Sequence, residues 1–260
     1  MLILLPPSET KATRPRGKPL DVGSLSSPSL RAPREQVMAA LADVSAGADA
    51  ASVLGVSPNL TVEIARNVAL TTSPTLPVGQ VYTGVLYDAL NLPTLDPAAR
   101  RRATRRIMVV SALFGALRLT DRVPAYRLSM AVNLPGVGPL AAHWRRPLSA
   151  SMDAVVGTGL IIDCRSSTYA AAWVPATHSP PASRWVQIHV PGATHMAKQT
   201  RGLVARALCQ SATDPRSPAG LVDVLEPHFD VSLQPPARAG RPWILSVHPH
   251  HAWRRGPSPR

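Results

Sequence analysis

Between Arg118 and Arg127, ten residues carry three guanidiniums (Arg118, Arg122, Arg127), a carboxylate (Asp121) and a phenol (Tyr126), interrupted by Pro124. A loop that only connects two elements does not need that mixture; a loop that grips an anion does. The same charges also read as a surface loop whose members pair with one another. Three further segments have a similar make-up: Ser8-Glu9-Thr10-Lys11, Arg165-Ser166-Ser167-Thr168-Tyr169, and the group His195, Lys198 and Arg201. These residue types suit a phosphate or a nucleobase. Arg takes phosphate oxygens in pairs, Lys supplies a point charge, and Ser or Thr hydroxyls complete the shell. Tyr82, Tyr126 and Tyr169 are candidates to stack on bases. For catalysis, Glu9 or Asp121 is the candidate base and Lys198 the candidate nucleophile or electrostatic stabiliser. Glu9–Lys11 and Asp121–Arg127 equally read as structural ion pairs. No Walker loop, GxGxxG, GxSxG or HExxH occurs, so no catalytic residue is assigned.

These groups matter together only if the elements before them bring them together. Leu2 to Leu5, Ile107 to Val110, Leu160 to Cys164 and Trp185 to Val190 read as short buried strands, and each is followed by one of the polar segments. Gly115 offers the freedom for a tight turn after the second of them. In α/β proteins ligands gather where strand C-termini open into loops. If the four strands run parallel, the four segments converge on one basic pocket. Trp243 to Val247 reads as a further strand. Helices are expected over 33–44, over 81–90, from the Asp96-Pro97 start, over 140–156 (with Pro147 opposing continuity), over 199–209 and over 221–225. Residues 12–32 read as an exposed loop rich in Pro, Ser, Arg and Gly.

Two stretches bear on nucleic acid. Residues 49–67 read as two short helices joined by the apolar-Gly-apolar turn Leu54-Gly55-Val56, the outline of a helix-hairpin-helix. Such a turn would present Leu54, Gly55, Val56 and Ser57, with Arg66 nearby, to DNA phosphates. The glycine also reads as an ordinary helix C-cap. Residues 100–106 hold five arginines, which read either as a solvated helix face or as an electrostatic landing strip.

The composition agrees with an acidic partner. Lys+Arg is 28 against 15 Asp+Glu, a net charge of +13. Of the cations 25 are Arg, part of which reflects a GC-rich codon bias, and the three lysines are Lys11, Lys18 and Lys198. Where drift favours Arg, a retained Lys marks a place that wants a compact ammonium. Two cysteines without a CxxC read as reduced thiols of a cytosolic protein, and no apolar run is long enough to span a membrane. His248, His250 and His251 lack a carboxylate or Cys to complete a metal site, so neither a metal nor a cofactor is expected.

Taken together, the segments MLILLPPSETK at 1–11, VYTGVLYDAL at 81–90, SALFGALRLTDRVPAYRLSM at 111–130, HW at 143–144, LIIDCRSSTYAAAW at 160–173 and AKQTRGLVARAL at 197–208 are similar to those of the YaaA peroxide-stress protein family, in the family's order and approximate spacing. The resemblance spans nearly the whole chain. It implies a bacterial cytosolic protein of the hydrogen peroxide stress response, a mixed α/β body with a helix-hairpin-helix and a basic cleft, and DNA binding. It further implies that Lys11, Arg118, Arg127, Lys198 and Arg201 face the shared cleft. The Pro/Ser-rich stretches 12–32 and 212–220, the Pro/Ser/His loop at 173–184 and the end after His248 depart from the family pattern.

The expectation is therefore a single mixed α/β (α+β) domain over 1–247, with a central mixed sheet wrapped by helices, a helix-hairpin-helix insert at about 49–67 and a disordered tail at 248–260. Its function is expected to be binding duplex or distorted DNA through phosphates in a basic cleft. The anion-binding set is Ser8, Lys11, Leu54, Gly55, Val56, Ser57, Arg66, Arg118, Tyr126, Arg127, Ser166, Ser167, Tyr169, Lys198 and Arg201. The alternative is an enzyme acting on a nucleotide or another phosphorylated small molecule in the same cleft.

Overall fold

Seven strands form one mixed sheet in the computed structural model, which describes residues 1–192 and 194–250. In chain order they are β1 (Leu2–Leu5), β2 (Ile107–Ser111), β3 (Gly115–Arg118), β4 (Ile161–Asp163), β5 (Trp185–His189), β6 (Phe229–Gln234) and β7 (Trp243–Pro249). Their spatial order is β6-β7-β5-β4-β1-β2-β3. The five inner strands are parallel, with Ile3 opposite both Ile107 and Ile162, and Ile162 opposite Val186. The two edge strands, β3 and β6, are antiparallel to their neighbours.

The parallel centre explains the sequence pattern. Strands covered on both faces need no polar alternation, and every residue of β1, β2 and β4 is buried. β6 alternates instead: Phe229, Val231 and Leu233 are more buried than Asp230, Ser232 and Gln234, the mark of an edge strand with one wet face. Nothing in the reading above anticipated β6, although its period of two is plain. The last strand also runs further than expected. β7 reaches Pro249, so His248 belongs to the sheet and not to a frayed tail, and residues 251–260 lie outside the described residues.

Ten α-helices pack around the sheet among the described residues: α1 (Arg31–Ala46), α2 (Ala50–Leu54), α3 (Thr61–Val68), α4 (Val78–Val81), α5 (Val85–Leu90), α6 (Pro97–Arg106), α7 (Leu140–Val156), α8 (Ser167–Ala170), α9 (Thr194–Gln210) and α10 (Pro218–Leu225). α6 starts as the sequence predicts: Asp96 accepts from the Ala98 and Ala99 amides at 2.8 and 2.9 Å, with Pro97 at the first position. α7 runs through Pro147 without a break. Its buried stripe of Leu140, Trp144, Leu148 and Met152, with Trp144 Nε1 donating to Ala112 O at 2.8 Å, outweighs the one hydrogen bond that the proline removes. Gly115, at φ +65°, turns the chain from β2 into β3, and a Cβ there would stand 2.7 Å from the Trp144 ring.

Two expectations change. Residues 12–32 hold short 3-10 turns at Val22–Ser24 and Pro28–Leu30, and they bury Leu25 and Leu30. The single helix expected over 81–90 is split into α4 and α5. Between them the chain pairs with the segment after β1: Lys11 bridges Tyr82, the Ala12 amide donates to Val81 O (2.8 Å) and the Thr83 amide to Ser8 Oγ (3.1 Å). This local exchange of helix for strand pairing shapes the floor of the site.

Candidate functional site: a basic pocket at the strand ends

The parallel strands do carry their following loops to one side. A hollow of about 610 Å³ opens there, lined by residues 6–11 after β1, Arg127–Ser129 after the β2–β3 hairpin, Ser166 and Tyr169 after β4, and Lys198 and Arg201 on α9. The hairpin turn Leu54–Val56 and residues 83–87 complete its wall. Four cations (Lys11, Arg127, Lys198, Arg201) face it against one carboxylate, Glu9.

Glu9 stands at the rim, 71% exposed, where Arg127 Nη2 donates to it at 3.2 Å and Lys198 Nζ lies 4.0 Å away. A pairing this exposed neutralises little. Lys11 sits deeper. Its Nζ donates to Ser8 O at 2.7 Å and to Glu9 O at 3.4 Å, and lies 4.2 Å from the Tyr126 ring centre. Burial lowers its pKa to about 7, and the Arg127 charge pushes the same way, against a smaller upward pull from Glu9. Arg201 brings a buried Nε that has no hydrogen-bond partner among the described residues.

The supports of these groups come from distant parts of the chain. Asn67, at the end of the hairpin, clamps the Arg127 backbone in both directions: Oδ1 accepts from the Arg127 amide (2.8 Å) and Nδ2 donates to its carbonyl (2.9 Å). The loop after β4 is set by a buried pair. Arg165 donates to Asp163 at 2.8 and 2.6 Å and to the carbonyls of Tyr169 and Trp173, while Trp185 Nε1 also reaches Asp163. Under Lys11, the hydroxyls of Tyr82, Tyr126 and Ser111 form a chain with Tyr126 at its centre, at 3.0 and 2.7 Å.

Several expected site residues lie elsewhere. Asp121 does not line the hollow. It is 7% exposed and accepts from Ser26 N, Ser26 Oγ and Arg118 N, which makes it the pin of the 12–32 loop and not a base in the pocket. Arg118 is also outside the lining, and its guanidinium donates to Arg105 O at 3.0 Å. Arg127 pairs with Glu9, not with Asp121. Tyr82 and Tyr126 are buried with hydroxyls engaged, so neither ring is open for a base to stack upon; only Tyr169 of the three lines the hollow. Ser57, Arg66 and Ser167 stand outside the lining as well. Thr10, in the Ser8–Lys11 segment, lines the hollow as expected, and Thr83 and Ser129 add hydroxyls that the sequence did not single out. A lone threonine in the apolar run 81–90 was their visible signal.

The two stretches singled out for nucleic acid also resolve differently. α2 and α3 do form a helical hairpin, but the turn amides are spent within it. The Gly55 amide donates to Ser52 O (3.1 Å) and the Val56 amide to Ala51 O (2.9 Å), with Gly55 left-handed at φ +62°: a Schellman close. Its free donors for a phosphate are therefore not those of the Leu54–Val56 turn. On α6, Arg100, Arg102 and Arg106 donate to main-chain carbonyls, which leaves Arg101 and Arg105 as the outward members of the run.

Among the described residues no three His, Cys, Asp or Glu side chains cluster as a metal site, and His250 pairs with Asp230 at 3.0 Å, while His251 is outside the described residues. Cys164 and Cys209 are buried free thiols that burial pushes up to about 12. No helix of the described residues is long and apolar enough to cross a membrane.

Comparison with known proteins places this geometry in context. A family model described as peroxide stress protein YaaA matches residues 1–232. A UPF0246 protein of Streptomyces coelicolor is 47% identical over 257 residues, covering 96% of this chain and 99% of its own. A UPF0246 protein of Corynebacterium efficiens is 45% identical over 174 residues, 65% of this chain and 68% of its own.

Proposed function

The chain belongs to the peroxide stress protein YaaA family, and from that premise we propose that it acts in the hydrogen peroxide stress response by holding DNA through its phosphates at the basic pocket. The observation that carries this reading is the gathering of Lys11, Arg127, Lys198 and Arg201 from three separate strand-end segments against the single carboxylate of Glu9. A net charge of +13 adds long-range attraction for a polyanion. Phosphate contacts carry no sequence information, so binding is expected to be largely indifferent to sequence.

The test is a fluorescence anisotropy titration at several salt concentrations. Each phosphate neutralised lowers log K by about 0.9 per decade of salt, so four contacts give a slope of about −3.6. A slope near zero, or no binding at low salt, overturns the reading.

A second reading rests on the shape of the site. A hollow of about 610 Å³ is the size of a small-molecule site. It favours a nucleotide or another phosphorylated small molecule, with Lys198 and Arg201 on the anion and Glu9 moving a proton. Thermal shifts measured with nucleotides, inorganic phosphate and short duplexes separate the two. Stabilisation by a mononucleotide, lost in Lys198→Ala, selects the second.

A further inference from the structure

We propose that Lys11 is an amine nucleophile that forms a reversible imine with the aldehyde carbon of a phosphorylated small molecule, whose phosphate is held by Lys198 and Arg201. The inference rests on the second reading above, that the pocket takes a small phosphorylated molecule, and adds a covalent step to it.

Three observations converge on Lys11. First, it is withdrawn into the pocket wall with no ion-pair partner among the described residues. A buried ammonium is normally paired with a carboxylate. Here the one carboxylate of the pocket is turned to Arg127 and Lys198, and in place of a carboxylate Lys11 has the main-chain oxygens of Ser8 and Glu9 and the ring faces of Tyr126 and Tyr82. Second, its surroundings disfavour the charged form: a low-dielectric site and the guanidinium of Arg127, the two devices that turn a lysine into a nucleophile at neutral pH. Its pKa is accordingly lowered to about 7, which brings the free amine within reach of neutral pH. Third, Lys11 is part of the wall of the hollow, together with Lys198 and Arg201, and these stand on α9, where an anion can be held apart from the amine. The hydrogen bond to Ser8 O, at 2.7 Å, uses one N–H and aligns the nitrogen, leaving its lone pair for a carbonyl carbon.

The step balances without an oxidant or reductant. The amine lone pair forms the C–N bond, and the carbonyl oxygen departs as water with the two amine protons. A carbon–nitrogen double bond remains, and the reverse reaction restores both partners.

The experiment uses the full chain with pyridoxal 5′-phosphate as probe, pyridoxal as the phosphate-free control, and cyanoborohydride to fix any imine for peptide mapping by mass spectrometry. Lys18 and Lys198 serve as internal references, because all three lysines report in the same unaltered protein. The expected result is labelling concentrated at Lys11, at least tenfold faster with the phosphorylated probe, suppressed by inorganic phosphate, and half-maximal in rate near neutral pH. Labelling spread over Lys18 and Lys198, or indifferent to the probe's phosphate, overturns the proposal. So does labelling that persists at full yield in Lys11→Arg. A thermal shift with inorganic phosphate keeps the two readings apart. If phosphate stabilises the protein and Lys11 stays unlabelled, the anion site stands and only the imine falls; if phosphate has no effect, the small-molecule reading falls with it.

Discussion

Helix α6 and the strand-end pocket are both dense in cations, yet they use them in opposite ways. On α6, Arg102 donates to Cys209 O and Gln210 O, and Arg106 donates to Leu208 O, Ser211 O and Thr213 O. Those carbonyls sit at or just past the C-terminal end of α9, where the helix cannot satisfy its own acceptors. The arginines cap it, helped by the favourable sign of a cation at that end. In the pocket, Lys198 and Arg201 have no comparable set of acceptors among the described residues, and Arg127 spends part of its fork on an exposed glutamate. The denser run in sequence is thus mainly mortar, and the sparser, scattered set faces the hollow. What marks a binding surface is not cation count but cations whose donors the fold leaves unspent.

The sharpest way to break this contrast is to remove one mortar arginine. Arg106→Ala should cost about 3 kcal/mol, because charged hydrogen bonds are lost and buried carbonyls are left without partners. DNA affinity per folded molecule should stay near wild type. Denaturant unfolding beside anisotropy checks both, and a selective loss of affinity would invert the comparison.

Asn67→Ala tests the link between hairpin and pocket. Losing both bonds to the Arg127 backbone should cost about 2 kcal/mol, and unlike Arg106→Ala it should also weaken anion binding, since Arg127 is released.

The pH dependence of stability isolates Lys11. Its folded pKa, about 7, lies below the ordinary 10.5, so between these values the unfolded chain binds the extra proton. Stability therefore rises with pH above 7, by about 1 kcal/mol per unit. The raised thiols of Cys164 and Cys209 act the other way once pH nears the ordinary thiol value of 9.0, because only the unfolded state then releases their protons. The lowered imidazoles of His143 and His228 add to the rise near pH 7, so the clean window is about pH 7.5 to 8.5, where the rise should vanish in Lys11→Met. A bound anion restores the charge of Lys11, so anion affinity should fall as pH climbs through the same window.

Lys198→Ala and Arg201→Ala should each reduce the salt slope of DNA binding by about 0.9, with little change in stability. Smallest of all is Arg101→Ala. An outward arginine on the capped helix should change stability by less than about 0.5 kcal/mol and leave the salt slope within error, provided that the pocket and not α6 meets the ligand.

The legible parts were those governed by local chemistry. Buried parallel strands announce themselves as unbroken apolar runs such as LILL and IMVVS, and Asp96-Pro97 as a helix start. The polar segments after the strands were visible for the same reason, and the parallel order brought most of them together. What escaped were decisions made by partners far away in the chain. Asp121 looks like a candidate base until Ser26, 95 positions earlier, is seen to occupy it. Tyr126 looks like a stacking platform until its hydroxyl closes on Tyr82 and Ser111. Gly55 reads as a phosphate-binding turn or as a helix cap, and only the carbonyls of Ala51 and Ser52 choose the cap.

By itself, then, the sequence determined the buried parallel strands, the α/β class, the cationic surplus and the family. Tertiary structure alone decided which charges remain available. Whether a side chain is buried among apolar neighbours follows from local pattern, whereas whether its donors are spent depends on which distant acceptor arrives beside it. No spacing in the chain records that meeting.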